Sequence, residues 1–179
     1  MRLFFAIELP AEVRAALGRL RDGGDDYRWV EPGQLHVTLA FLGEQPVDAL
    51  RRLEQIGTSA AAASRAGTLR LGEAGSYGPR GAPRVLWIGL GGDVAGLIGL
   101  QSNLASALRQ AGFAIEDRPF SPHITLARRR ERAAQGKPAW PPSQVPTATI
   151  PLRELVLFQS KLSPKGAIYT PLGTYELST

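Results

Sequence analysis

The chain has no cysteine, only two histidines and a single methionine among its 179 residues. Without cysteine there can be no disulfide, no thiolate nucleophile and no thiol redox chemistry, which suits a reducing cytosol. Zinc draws three or four ligands from Cys, His and carboxylates. Two histidines and no cysteine are too few, so neither a metal nor a cofactor is expected. The apolar run Leu3-Phe4-Phe5-Ala6-Ile7 is interrupted at Glu8 and Pro10, too short for a signal-peptide core, and no stretch approaches the roughly 20 apolar residues of a membrane span. No glycine-rich turn links a strand to a helix as in a nucleotide-binding βαβ unit. These absences leave a cytoplasmic, soluble reading for a chain of ordinary composition, 44% hydrophobic and 21% charged. It is long enough for one core or for two small lobes sharing one.

What the chain does have is a repeated phrase. Its two histidines begin His36-Val37-Thr38-Leu39-Ala40 and His123-Ile124-Thr125-Leu126-Ala127, which agree at four of five positions. In an extended strand alternate residues share a face. His36 and Thr38 therefore point one way with Val37 and Leu39 opposite, and His123 and Thr125 do the same. Imidazole exchanges a proton near neutrality, and a threonine hydroxyl roughly 7 Å along the same face can donate to an oxyanion. Two such units facing each other supply an acid, a base and a cradle. The net charge of +5 favours an anionic partner. Arg128, Arg129, Arg130 and Arg132 follow directly on the second phrase, where they could carry a positive surface onto a polynucleotide backbone.

The two halves repeat one order of elements. Leu3 to Leu9 reads as a strand, followed by Pro10 at a first helical position and an apolar stripe at Val13, Ala16, Leu17 and Leu20. Gly23-Gly24-Asp25-Asp26 breaks the chain before the strand of His36, which Gly43 closes. Arg84 to Leu90 is again a strand, and Asp93 is an N-cap for a helix striped by Val94, Leu97, Ile98, Leu104, Ala105 and Leu108 and ended by Gly112. The strand of His123 comes next. Between the halves, Pro46 to Arg65 reads as a helix with Val47, Leu50 and Leu53 inward, Leu69 and Leu71 as a strand, and Gly72 to Pro83 as a linker. Gly136 to Pro146 is an irregular loop around Trp140, and the last strands run from Glu154 to Gln159 and from Ile168 to Leu172. The expected class is α+β. One bilobal domain spans 1–179, with pseudo-repeats at about 1–75 and 84–160 and strands exchanged between lobes.

The phrases Arg2-Leu3-Phe4-Phe5-Ala6-Ile7, Leu35-His36-Val37-Thr38-Leu39-Ala40-Phe41-Leu42-Gly43 and Phe120-Ser121-Pro122-His123-Ile124-Thr125-Leu126-Ala127-Arg128 resemble the two-histidine phosphoesterase superfamily. Within it they are most similar to the RNA 2',3'-cyclic phosphodiesterases, also called 2'-5' RNA ligases. The resemblance implies two antiparallel sheets with flanking helices around a cleft, one His-x-Thr motif per lobe, and metal-independent hydrolysis of RNA 2',3'-cyclic phosphate ends, tRNA fragments among them, by a monomer. It assigns His36 as general acid and His123 as general base, yielding a 2'-phosphate, although the sequence alone does not order the two. In-line opening of a cyclic diester needs a base on one side and an acid on the other, with Thr38 and Thr125 holding the non-bridging oxygens. Arg128 matches a family arginine and is expected to bind substrate. Strict alternation puts it on the wrong face, so a twist or bulge is required there. Phe120 and Tyr77 are further substrate contacts, by stacking on a base. Two other readings stay open: a non-catalytic protein that grips an RNA end, which Arg or Lys would serve better than histidine, or the same fold acting as a 2'-5' ligase or on another cyclic nucleotide.

Overall fold

The apolar run near the start of the chain becomes β1 (Arg2–Glu8), a central strand whose five inner residues are all buried. Leu3, Phe5 and Ile7 enter the main core, while Phe4 and Ala6 join Val156 and Phe158 in a second, smaller cluster. Burial on both faces is why this strand reads as an unbroken apolar run rather than an alternation. Each large side chain so buried contributes about 1.5–3 kcal/mol.

The computed structural model describes residues 1–22, 24–131, 133, 139–164 and 166–179. After β1 come α1 (Ala11–Gly18), β2 (Tyr27–Trp29), β3 (His36–Glu44), α2 (Leu50–Ala62), β4 (Gly67–Tyr77), β5 (Val85–Gly92), α3 (Val94–Gln110), β6 (His123–Arg129), β7 (Thr149–Leu152), β8 (Glu154–Ser163) and β9 (Gly166–Glu176). Short 3₁₀ turns occupy Pro32–Gln34 and Val47–Ala49. The strands form two antiparallel sheets, one in the order β3-β1-β8-β9 and the other β2-β6-β5-β4-β7. The expected α+β class with two antiparallel sheets is the observed one. Each sheet takes in strands from the far end of the chain: β8 pairs with β1 and carries β9 at the edge, and β2 closes the second sheet beside β6. One continuous core runs beneath both sheets, fed by Leu97, Leu100, Leu104 and Leu108 of α3, all fully buried at helical spacing. Asp93 caps α3 as its sequence position predicts, its carboxylate accepting from the Gly96 amide at 3.0 Å. No helix among the described residues is long and apolar enough to cross a membrane.

Four expectations need correction. Gly72 to Pro83 is not a linker: β4 runs through it to Tyr77 and pairs with β5. Gly75 is there for packing, since a Cβ on it would lie 2.3 Å from the Trp87 ring, whereas Gly78 and Gly81 take the positive φ of the turn that follows. Val47 is 68% exposed rather than inward, because it lies in the 3₁₀ turn before α2 starts. Ile98 is 44% exposed, off the buried stripe of α3. Helix α1 stops at Gly18, with Pro10 before its first turn and Leu20 beyond its last. The strands β2 and β7 are three and four residues long, too short to show an alternation. Of the loop expected at Gly136 to Pro146, residues 136–138 lie outside the described residues, as does Arg132.

Candidate active site

His36 and Thr38 stand on β3, at the edge of the first sheet, and His123 and Thr125 on β6 in the second. Both pairs face one cleft of about 270 Å³ between the sheets. The two histidines are held by the same Nδ1 contact. Nδ1 of His36 lies 2.7 Å from the Gln34 carbonyl oxygen, and Nδ1 of His123 lies 2.7 Å from that of Ser121. A carbonyl can only accept, so both Nδ1 atoms donate, and each Nε2 is turned towards the cleft. Nε2 of His36 is 2.9 Å from the Thr38 hydroxyl, which in the neutral imidazole donates to it.

Aromatic rings wall each imidazole. Phe4 lies 5.0 Å from the His36 ring, and Tyr169 meets it edge-on at 5.3 Å. Tyr77 meets His123 edge-on at 5.4 Å, with Trp87 at 6.1 Å. Burial pushes His36 below its ordinary value of 6.5, partly offset by the hydrogen bond to Gln34. Burial therefore favours neutral His36.

Arg128 reaches the cleft through a bulge. On β6, Thr125 pairs with Trp87 and Ala127 with Leu86, so Leu126 is passed over. Leu126 and Ala127 are consecutively buried, and the inserted residue flips the alternation so that the fifth residue after His123 rejoins its face. The first motif repeats this construction. Ala6 pairs with Thr38 and Phe5 with Ala40, Leu39 is passed over, and Phe41, fifth after His36, lines the same cleft. The two sheets thus present equivalent positions filled by an arginine and a phenylalanine.

Of the remaining residues expected to bind substrate, neither lines this cleft. Tyr77 packs against His123 and hydrogen-bonds the Ser121 hydroxyl at 3.3 Å. Phe120 lies in a separate groove against α3 with Arg109 and Arg118. It precedes the start of β6, so strand alternation does not set its direction. The sequence reading missed Phe41, Tyr169 and Arg2, all of which line the cleft. A position-by-position comparison of the two motifs would have found Phe41 opposite Arg128. Arg129 is half-buried on the other side of β6, whereas Arg128 and Arg130 are exposed. Arg28 on β2 stands directly across from Arg128. The cleft is lined by two arginines and two histidines and, among the described residues, by no carboxylate. No three potential metal ligands from His, Asp and Glu come together among those residues.

A family model described as the 2'-5' RNA ligase superfamily matches residues 9–163. An RNA 2',3'-cyclic phosphodiesterase of Thermus thermophilus is 37% identical, the alignment covering 99% of this chain and 90% of that protein. A protein of the same name from Escherichia coli is 34% identical, with 99% and 97% covered. A crystal structure of a Thermus thermophilus protein superimposes with a TM-score of 0.81 at 34% identity, over 99% of this chain and 98% of that one. With its duplicated motif, its paired sheets and these likenesses over nearly its full length, the chain belongs to the 2'-5' RNA ligase superfamily.

Proposed function

We propose that this protein hydrolyses RNA 2',3'-cyclic phosphate ends to 2'-phosphates by acid–base catalysis between His36 and His123. The observation that carries this reading is the matched pinning of both Nδ1 atoms to carbonyl oxygens two residues upstream, which turns both Nε2 atoms to one cleft. The names of the relatives support the same substrate.

In the proposed reaction His123 takes a proton from water as the water attacks phosphorus, and His36 gives a proton to the departing ribose 3'-oxygen. Burial favours neutral His36 before substrate binds. A cyclic phosphate monoanion beside Nε2 favours the charged imidazole, so substrate binding arms the acid. Protonated Nε2 can no longer accept from Thr38. That hydroxyl is released to donate to a non-bridging oxygen, as Thr125 does from the other side, while Arg128 balances the developing charge. Phe41 offers a base a stacking surface, the role first expected of Phe120 and Tyr77. Tyr77 instead holds the His123 ring.

The finer reading is of one bilobal domain over residues 1–179, with pseudo-repeats at about 1–75 and 84–160. It acts in the cytoplasm as a monomer on RNA ends that include tRNA fragments. The test is incubation with an RNA ending in a 2',3'-cyclic phosphate in excess EDTA, followed by separation of 2'- from 3'-phosphate products. A 2'-phosphate formed at an undiminished rate is the expected result. An uncleaved end would leave the protein as a binder of RNA ends, and activity restored only by a divalent ion would overturn the two-histidine mechanism.

A further inference from the structure

One cation in the cleft has no task in the mechanism above. A cyclic phosphodiester carries a single negative charge, which Arg128 and one protonated histidine already more than offset. Arg2 lines the same cleft and makes no ion pair with a carboxylate among the described residues. Its guanidinium lies 5.1 Å from the centre of the Phe41 ring. Strand register builds a row around it. Arg2 on β1 pairs with Ser160 on β8, and Ser160 pairs with Tyr169 on β9. Directly paired residues share a face, so the three polar groups form a line two strand spacings long, about 10 Å, and all three line the cleft. Tyr169 ties this row to the reacting end: its ring meets His36, and its phenol, which burial pushes up, is pulled down by both Arg128 and Arg2.

We infer that Arg2, Ser160 and Tyr169 form a second anion subsite, which holds the phosphodiester on the 5' side of the terminal nucleotide. The direction follows from the substrate. The 3' side of the last ribose is closed by the cyclic phosphate, so a second charge can come only from the 5' linkage. Arg2 covers one side of Phe41, and the terminal base stacks on what stays exposed of that ring, 44% of the residue. The terminal nucleoside then spans the two phosphate sites, and the cleft selects a strand end over a free cyclic nucleotide. The subsite rests on the cyclic-phosphate reading proposed above.

The test compares two dinucleotides ending in a 2',3'-cyclic phosphate, one with an ordinary internal linkage and one with an uncharged methylphosphonate there. Charge-assisted hydrogen bonds of this kind predict about a 10-fold preference of the wild type for the charged linkage in kcat/KM, carried mostly by KM. Arg2→Gln should bring the ratio of the two substrates close to one, and Tyr169→Phe should reduce it partly. A wild-type ratio near one, or an unchanged ratio in Arg2→Gln, overturns the subsite. Adenosine 2',3'-cyclic phosphate has no internal linkage, so its turnover tests the parent reading alone. If none of the three is turned over, calorimetric binding of the two uncleaved dinucleotides yields the same ratio, and the subsite stands or falls on it in the same way.

Discussion

Replacing Arg128 with alanine should lower activity without lowering stability. The bulge at Leu126 delivers Arg128 to the face of His123 and Thr125, and no carboxylate among the described residues pairs with it. Its charge is therefore available to phosphate. A hydrogen bond to a charged group is worth about 1.5–3 kcal/mol, which converts to a loss of roughly 10- to 100-fold in kcat/KM. Because the charge on the phosphoryl oxygens grows in the transition state, kcat should fall more than KM rises. Lysine at this position should recover part of the loss, since it keeps the charge but not the two-pronged geometry. Stability should move the other way. Arg28 lies directly opposite Arg128 across β2 and β6, and both are exposed. Like charges so placed repel, by a few tenths of a kcal/mol on a solvated surface. Removing one should leave Tm unchanged or raise it by a degree or so. Steady-state kinetics on a cyclic-phosphate RNA and a thermal melt suffice as assays. A variant within twofold of wild-type activity would show that Arg128 does not touch the phosphate, and a Tm lowered by more than about 4 °C would show that its role is structural.

His36→Ala and His123→Ala should each cost at least about 10²-fold in turnover, and the double variant little more than the worse single one, because both act in one step. Rapid-quench measurement of all three decides this, and near wild-type turnover in either single variant would remove that histidine from the mechanism. Burial holds His36 below 6.5 in the folded protein, so the unfolded chain binds the extra proton. The stability contributed by neutral His36 is present above pH 6.5 and is lost as pH falls through its lower folded value. In consequence the drop in Tm between pH 7.5 and pH 5 should be smaller in His36→Gln than in wild type, and equal drops would argue against a buried, neutral imidazole. Finally, Arg28 and Arg130 are exposed beside Arg128 and should carry part of a longer RNA. Replacing both with alanine should reduce the slope of log K against log salt by about 1.4 for a single strand, whereas an unchanged slope would assign them to plain solvated surface.

The His36, Thr38, His123 and Thr125 quartet that lines the cleft was legible because it depends on a strand's period of two, which needs no tertiary information. The requirement for a bulge before Arg128 was legible for the same reason: alternation alone put the residue on the wrong side. The identical bulge in β3 went unseen, since no charged residue at position 41 called for one, and Phe41 reads equally well as core. Arg2 and Tyr169 could not be found from local pattern. Tyr169 joins Arg2 at the cleft because β8 returns from the end of the chain to pair with β1 and carries β9 beside it. The glycines of β4 were misread because composition does not distinguish a flexible glycine from one that makes room for an indole ring. In Gly75 the deciding neighbour, Trp87, is on the paired strand.

The twin bulges have a consequence for product identity. A cleft with matching His-x-Thr ends offers a cyclic phosphate two docking poses, one the reverse of the other. Turning the substrate over exchanges acid for base, and with them which ribose oxygen keeps the phosphate. Equal residues at positions 41 and 128 would remove one of the differences between the two poses. An arginine at one position and a phenylalanine at the other make them unequal, since reversal would set a phosphate against a ring and a base against a cation. A hundredfold bias between isomers requires only about 2.8 kcal/mol, within the combined reach of one phosphate contact and one stacked base. In the proposed mechanism, regiochemistry then depends in part on two side chains brought into the cleft by two skipped residues, Leu39 and Leu126.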